Sequence, residues 1–108
     1  MPTKNKSQAF RVTLDSFNPS DYIVIDIRSR GYYLISHIKD SINIQSLQRI
    51  SFIAQENADK KILLYCHSGA TAAEFGDKLI ALGCKNIYYL DENYFRVLKS
   101  GIAMEGNA

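Results

Sequence analysis

Two segments of this 108-residue chain are apolar at nearly every position instead of at alternate ones: Tyr22–Ile27 (YIVIDI) and Ile62–Cys66 (ILLYC). A strand with one face in water alternates apolar and polar side chains. A strand that is apolar throughout needs cover on both faces, which is the signature of a parallel sheet held between helical layers. That requirement constrains the rest of the chain, because parallel neighbours must be joined by crossover segments, usually helices.

The intervening sequence supplies them. Ser29 opens a short helix reaching about Ser36, with Tyr32, Leu34 and Ile35 as its apolar surface, and Ser41–Ile44 (SINI) reads as a short strand. Ser46–Asn57 places Leu47, Ile50, Ile53 and Ala54 at helical spacing and turns Arg49, Gln55 and Glu56 outward. The helix Thr71–Leu82 carries a stripe of Ala72, Gly76, Leu79, Ile80 and Gly83, whose small members let it approach the sheet closely. Glu74 and Lys78 lie one turn apart on its solvent face, and Gly83 is suited to a left-handed cap. Ala9–Thr13 reads as a short edge strand, Asn18-Pro19 as a turn, Asn86–Leu90 as a last strand, and Asn93–Lys99 as a short helix closed by Gly101. Residues 1–8 are polar and expected to be flexible. One α/β domain over residues 1–108 follows, with a mostly parallel sheet of about five short strands flanked by helices.

Composition removes several classes of function. The net charge of +2 is spread along the chain with no basic run, so nucleic acid is not an expected partner. The N-terminus has no apolar stretch of signal-peptide length and no segment is long enough to span a bilayer, so a cytoplasmic location without membrane attachment is expected. In a reducing compartment Cys66 and Cys84 are free thiols. Besides them there are only His37 and His67, in no metal-ligand spacing, so no metal and no cofactor are expected. Nothing in the sequence marks an oligomeric interface.

Cys66 ends the second apolar run and begins a loop of small residues that leads into a helix. Unpaired backbone N–H groups and the positive end of a helix dipole converge at such a position, and that setting favours the thiolate, the nucleophilic form of cysteine. Cys66 is therefore the candidate catalytic residue. If residues 66–71 curl into a cradle, their N–H groups point at the sulfur and at any anion above it. His67, Ser68, Gly69, Ala70, Thr71 and Ala72 are then the substrate-binding candidates, with Gly69 permitting the curl and Ser68 and Thr71 adding hydroxyls. The competing reading of Cys66 is a buried core cysteine; the loop and helix that follow it favour the nucleophile. Cys84, between a helix-ending glycine and a strand, reads as core packing, with a resolving thiol as the alternative. His67 reads as an exposed loop residue whose N–H matters more than its ring.

The stretch YCHSGATAAEFGDKLIALGCKNIYYL resembles the active-site strand, loop and helix of single-domain rhodaneses, the thiosulfate and persulfide sulfurtransferases. An earlier stretch, VIDIRSRGYYLISHIKDSINI, is similar to the family segment in which an Asp-x-Arg strand end precedes a helix, a His-Ile pair and an Asn-Ile strand; here these are Asp26, Arg28, His37, Ile38, Asn43 and Ile44. The resemblance implies a rhodanese-like three-layer fold. It also implies that Cys66 takes sulfur from a donor such as thiosulfate, holds it as a persulfide and passes it to a thiol or cyanide. Asp26 and Arg28 read as a structural pair that fixes neighbouring loops, and His37 as a satisfied polar residue at a turn.

Two positions depart from the family pattern. The loop often reads Cys-x-x-Gly-x-Arg, and here Thr71 takes the last place, which removes a bidentate cationic contact to a sulfonate. Asp91-Glu92-Asn93-Tyr94-Phe95 stands where the family has a Glu-Gly-Gly run and a tryptophan. Arg30 and Arg96 are the candidates to supply positive charge from another direction. Two alternatives stand beside the enzyme: a persulfide carrier loaded by a partner protein, and a cysteine-dependent phosphatase. The phosphatase needs a longer loop ending in arginine, and neither Thr71 nor Ala72 meets that need.

Overall fold

The computed structural model describes residues 4–106. In chain order the elements are β1 (Phe10–Val12), β2 (Tyr22–Asp26), α1 (Arg30–Ile35), β3 (His37–Ile38), β4 (Ile42–Asn43), α2 (Leu47–Glu56), β5 (Lys61–Tyr65), α3 (Ala70–Ala81), β6 (Ile87–Leu90), α4 (Tyr94–Leu98) and β7 (Met104–Glu105), with 3-10 turns at Leu14–Ser16 and Pro19–Asp21. Five strands form one sheet in the order β1-β6-β5-β2-β4, and every pairing in it is parallel. The two apolar runs are neighbours at its centre, paired from Tyr22 beside Lys61 to Asp26 beside Tyr65.

Both faces of the central strands are covered. On one, Ile25, Ile27, Ile62, Leu64 and Cys66 pack with Ile50 and Ala54 of α2 and with Ala72, Ala73 and Leu79 of α3. On the other, Val24, Leu63 and Tyr65 pack with Ile38 and with Tyr94 and Val97 of α4. Ile62, Leu63 and Leu64 are wholly buried, each contributing roughly 1.5–3 kcal/mol of transfer free energy. No helix among the described residues is long and apolar enough to cross a membrane.

The connections explain where a site can form. From β2 the chain passes through α1 to β4 on one side of the sheet; from β5 it passes through α3 to β6 on the other. The two central strands therefore send their connections in opposite directions, which opens a crevice at their carboxyl ends. Asp26 and Cys66 stand on either side of it.

Helix α3 lies close against the sheet edge because Gly76 has no side chain: a Cβ there would meet the Ala9 Cβ at 2.7 Å. It ends in a Schellman motif, with Gly83 at φ 96°, its N–H donating to the Ile80 carbonyl and that of Cys84 donating to the Leu79 carbonyl. Ser46 caps α2 and Asn93 caps α4.

Four expectations need correction. Residues 1–3 lie outside the described residues, but residues 5–8 are docked, because two carboxylates accept from them: Asp91 from Asn5, and Asp77 from Ser7 and Gln8. Tyr32, Leu34 and Ile35 do not enter the core; the sheet face beside them is already filled by Ile38, Tyr94 and Val97. Ser29 precedes α1 without a side-chain capping bond. Finally, His37–Ile38 pairs antiparallel with Met104–Glu105 in a separate two-stranded ribbon, where only a turn was expected.

Candidate functional site

At the end of β5 the chain leaves the sheet through Cys66, turns at Gly69 and enters α3. Gly69 takes φ 89°, the left-handed conformation open to glycine, and its carbonyl accepts the first helical bond from the Ala73 N–H. A helix start leaves four N–H groups without intrahelical partners. Two of them, at Gly69 and Ala72, donate to Cys66 Sγ at 3.2 and 3.3 Å. Those of Ala70 and Thr71 find no acceptor among the described residues. The predicted cradle thus forms from backbone donors and closes on a sulfur whose residue is only 6% exposed.

The loop is held from outside at two successive peptides. The His67 carbonyl accepts from the Tyr94 N–H at 2.7 Å, and the Ser68 carbonyl accepts from Asn5 Nδ2 at 3.1 Å. The His67 ring is exposed and lies edge-on to Tyr32, 4.6 Å between centroids. Ser68, Ala70 and Thr71 are exposed, whereas Ala72 is buried and offers the sulfur only its N–H.

Below the loop, Asp26 and Arg28 form a buried ion pair. Arg28 Nη2 donates to Asp26 Oδ2 at 2.8 Å and Nε donates to both carboxylate oxygens at 3.1 Å. Nη2 also donates to the Ser36 carbonyl, tying α1 to the crevice, and the guanidinium lies 3.8 Å from the centre of the Tyr94 ring. Burial pulls the guanidinium toward neutrality, but the bond to Asp26, the charge of Asp26 and the two flanking tyrosines outweigh it, so Arg28 holds its proton more tightly than usual. Burial, and after it the charge of Asp26, pushes the Tyr65 phenol far above its ordinary range.

An open cleft of about 460 Å³ adjoins the loop, lined by Arg28, His67 and Ser68 and by the apolar side chains of Tyr32, Tyr94 and Phe95 among others. Arg28 is the cation on its wall. Neither Arg30 nor Arg96 lines it; Arg96 pairs instead with Glu92 at 3.5 Å, one turn back. Cys84 sits at the opposite end of the sheet from Cys66, ahead of β6, with its thiol 3.7 Å from Ser51 Oγ. At about 3.3 Å per residue, the length of β5 separates the two cysteines, which leaves Cys84 as core packing and not a resolving thiol.

Sequence reasoning missed Asn5, Asp91 and Tyr94. Asn5 lay in a stretch expected to be flexible, and Asp91 and Tyr94 in one judged only by what it lacked. Among the described residues, no three His, Cys, Asp or Glu side chains converge to hold a metal ion.

The model of the rhodanese-like domain matches residues 12–100. Thiosulfate sulfurtransferase GlpE of Pseudomonas savastanoi is 24% identical over 72 residues, 67% of this chain and 68% of that protein. A tRNA uridine(34) hydroxylase of Photorhabdus laumondii is 28% identical over 80 residues, 68% of this chain but 22% of that protein, so the match spans only about a fifth of the hydroxylase. Among solved structures, a Helicobacter pylori protein superposes with a TM-score of 0.81 at 27% identity, over 90% of this chain and 89% of that one. A rhodanese-related protein of Thermoplasma volcanium shares the fold with a TM-score of 0.74 at 22% identity, over 91% of this chain and 99% of that one. The strand order, the cysteine loop at the crevice and these matches agree: the chain belongs to the rhodanese-like domain family.

Proposed function

We propose that this protein is a sulfurtransferase in which Cys66 carries the sulfur as a persulfide. The observation behind this reading is the pair of backbone N–H groups that close on Cys66 Sγ at the start of α3. Such donors favour an anionic sulfur over a neutral one. In the first half-reaction the Cys66 thiolate attacks the outer sulfur of a donor such as thiosulfate. The new S–S bond forms as the donor's S–S bond breaks, and sulfite leaves with the bonding pair. In the second, a thiolate or cyanide attacks the terminal sulfur and Cys66 is released as the thiolate. The N–H groups of Ala70 and Thr71, left free by the sulfur, are the donors available to the incoming anion. Free thiols at Cys66 and Cys84 suit the reducing cytoplasm, where we place this chemistry.

A second reading, a persulfide carrier loaded by a partner protein, draws on the charge of the cleft. Its wall cation, Arg28, is engaged by Asp26, and Thr71 offers a hydroxyl where the family often has arginine. A dianionic donor thus meets backbone dipoles without a free guanidinium.

Intact-protein mass spectrometry after brief exposure to thiosulfate tests the proposal. The mass of one sulfur is expected in the wild type and in Cys84→Ala, and not in Cys66→Ala. Equal loading of Cys66→Ala refutes the mechanism. A wild type that takes no sulfur from thiosulfate, yet is loaded by a cysteine desulfurase, replaces the enzyme with the carrier.

A further inference from the structure

We propose that Asn5 is a positioning residue of the cysteine loop, acting on the sulfur through the peptide unit that joins Ser68 to Gly69; this rests on the reading of Cys66 as the sulfur carrier. The two ends of that peptide are both engaged. Asn5 Nδ2 donates to its carbonyl, at Ser68, at 3.1 Å, and its N–H, at Gly69, donates to Cys66 Sγ at 3.2 Å. In a planar trans peptide the C=O and N–H point in opposite directions, so fixing the carbonyl on Asn5 aims the N–H at the sulfur.

The aim needs fixing because of the residue that follows. Glycine takes positive and negative φ about equally readily, so the peptide preceding Gly69 can rotate at little cost. The second donor to the sulfur, the Ala72 N–H, is oriented by α3 itself. The Gly69 N–H has no such support from its own element, and Asn5 supplies it from the far end of the chain. A donor on the carbonyl also polarises the peptide and strengthens the N–H on its other side.

Asn5 is itself held in one orientation. Its Nδ2 also donates to Asp91 Oδ1 at 2.8 Å, its backbone N–H donates to Asp91 Oδ2 at 3.2 Å, and its carbonyl accepts from the Tyr89 hydroxyl at 2.6 Å. Both protons of the amide group are thereby used on oxygen acceptors, which fixes which way the amide faces. Asp91 is anchored in turn by Arg11 Nε at 2.6 Å, with its side chain 3% exposed. Gly69 packs on this assembly so closely that a Cβ would lie 3.0 Å from Asn5 Nδ2 and 3.0 Å from Asp91 Oδ1. The relay runs from Arg11 through Asp91 and Asn5 to the 68–69 peptide and the sulfur.

Two readouts separate positioning from simple docking of the N-terminal segment. One is the rate at which iodoacetamide alkylates Cys66, followed by mass spectrometry; the other is the Gly69 amide signal in the 15N-labelled protein. In Asn5→Ala, and in the isosteric Asn5→Asp, which has no side-chain N–H donor, alkylation at neutral pH is expected to slow about three- to tenfold, the worth of one hydrogen bond. The Gly69 amide proton should move while that of Ala72 stays within its wild-type range. Ser7→Ala loosens the same segment at Asp77, away from the loop, and should alkylate within about twofold of wild type. Alkylation of Asn5→Ala at or above the wild-type rate, an unmoved Gly69 amide, or equal slowing in Ser7→Ala each overturns the proposal. Alkylation does not depend on sulfur transfer: if Asn5→Ala slows as expected while the wild type takes up no sulfur from any donor, the clamp stands and the sulfurtransferase reading falls.

Discussion

Removing Arg28 while leaving Asp26 should cost far more than removing both charges together. Their side chains are 2% and 0% exposed, respectively. In Arg28→Met the carboxylate loses the contacts from Nε and Nη2 and keeps the Arg28 backbone N–H, at 2.8 Å, a bond the substitution does not touch. The variant also loses the bond from Nη2 to the Ser36 carbonyl at 2.6 Å and the cation beneath Tyr94. Leaving one member of a buried pair uncompensated costs about 3–5 kcal/mol, which is about a fifth or more of the roughly 5–15 kcal/mol that holds a domain of this size together. Asp26→Asn strands the other charge, and the guanidinium cannot escape by losing its proton, so a similar cost is expected.

The double variant Asp26→Asn with Arg28→Met removes the charges as a pair. It loses hydrogen bonds and some packing but strands no ion, and should cost about 1–3 kcal/mol, so the two substitutions are coupled by at least about 3 kcal/mol. Urea unfolding of the four proteins, with a common slope in denaturant, measures this directly. Single variants each costing under about 1 kcal/mol, or a double variant equal to the two singles together, would refute the view of the pair as a mutually dependent buried unit.

Two further outcomes follow from the geometry. Gly76→Ala gains about 1 kcal/mol in helix propensity but drives a methyl to 2.7 Å from the Ala9 Cβ and 3.0 Å from Ser7 Oγ. Overpacking at roughly 1–3 kcal/mol should win, so the melting temperature falls; a rise shows that β1 yields freely. In alkali, Tyr65 keeps its proton well above the ordinary value of 10.0 because of burial and then the charge of Asp26, while the unfolded chain releases it near that value. Its contribution is therefore complete below about pH 10 and is lost as pH rises beyond, by up to ~1.4 kcal/mol per pH unit for this group. Tyr65→Phe, though less stable at neutral pH, should show a shallower loss of stability above pH 10; parallel curves contradict the assignment.

The fold was legible wherever a pattern is local. Runs apolar at nearly every position, such as Tyr22–Ile27, announce a parallel sheet within a few residues, and α3 ends through bonds from Gly83 to Ile80, three positions back, and from Cys84 to Leu79, five back, and no further. The ribbon of β3 and β7 was not legible. Each strand has two residues, too few for any periodicity, and each exists only because the other does. The apolar character of Tyr32, Leu34 and Ile35 misled for a related reason: composition shows that a face is apolar but not whether the sheet beside it is already covered.

The site divides along the same line. The cradle on Cys66 uses donors three and six residues away, at Gly69 and Ala72, and a strand, a cysteine, a small-residue loop and a helix are enough to place them. What aims the Gly69 donor comes from much further off. The Asn5 side chain reaches Ser68 across a separation of 63 residues and Asp91 across 86. No local propensity marks an asparagine in a polar N-terminal stretch as a partner for either. The contact forms because the segment before β1 crosses α3, where Asp77 accepts from Ser7 and Gln8, and so brings Asn5 to Asp91, the residue that follows β6 beside the cysteine loop. The cysteine loop is thus specified locally in its shape and at long range in its orientation. A substitution at Asn5 is then expected to alter sulfur reactivity while every residue of the loop stays unchanged.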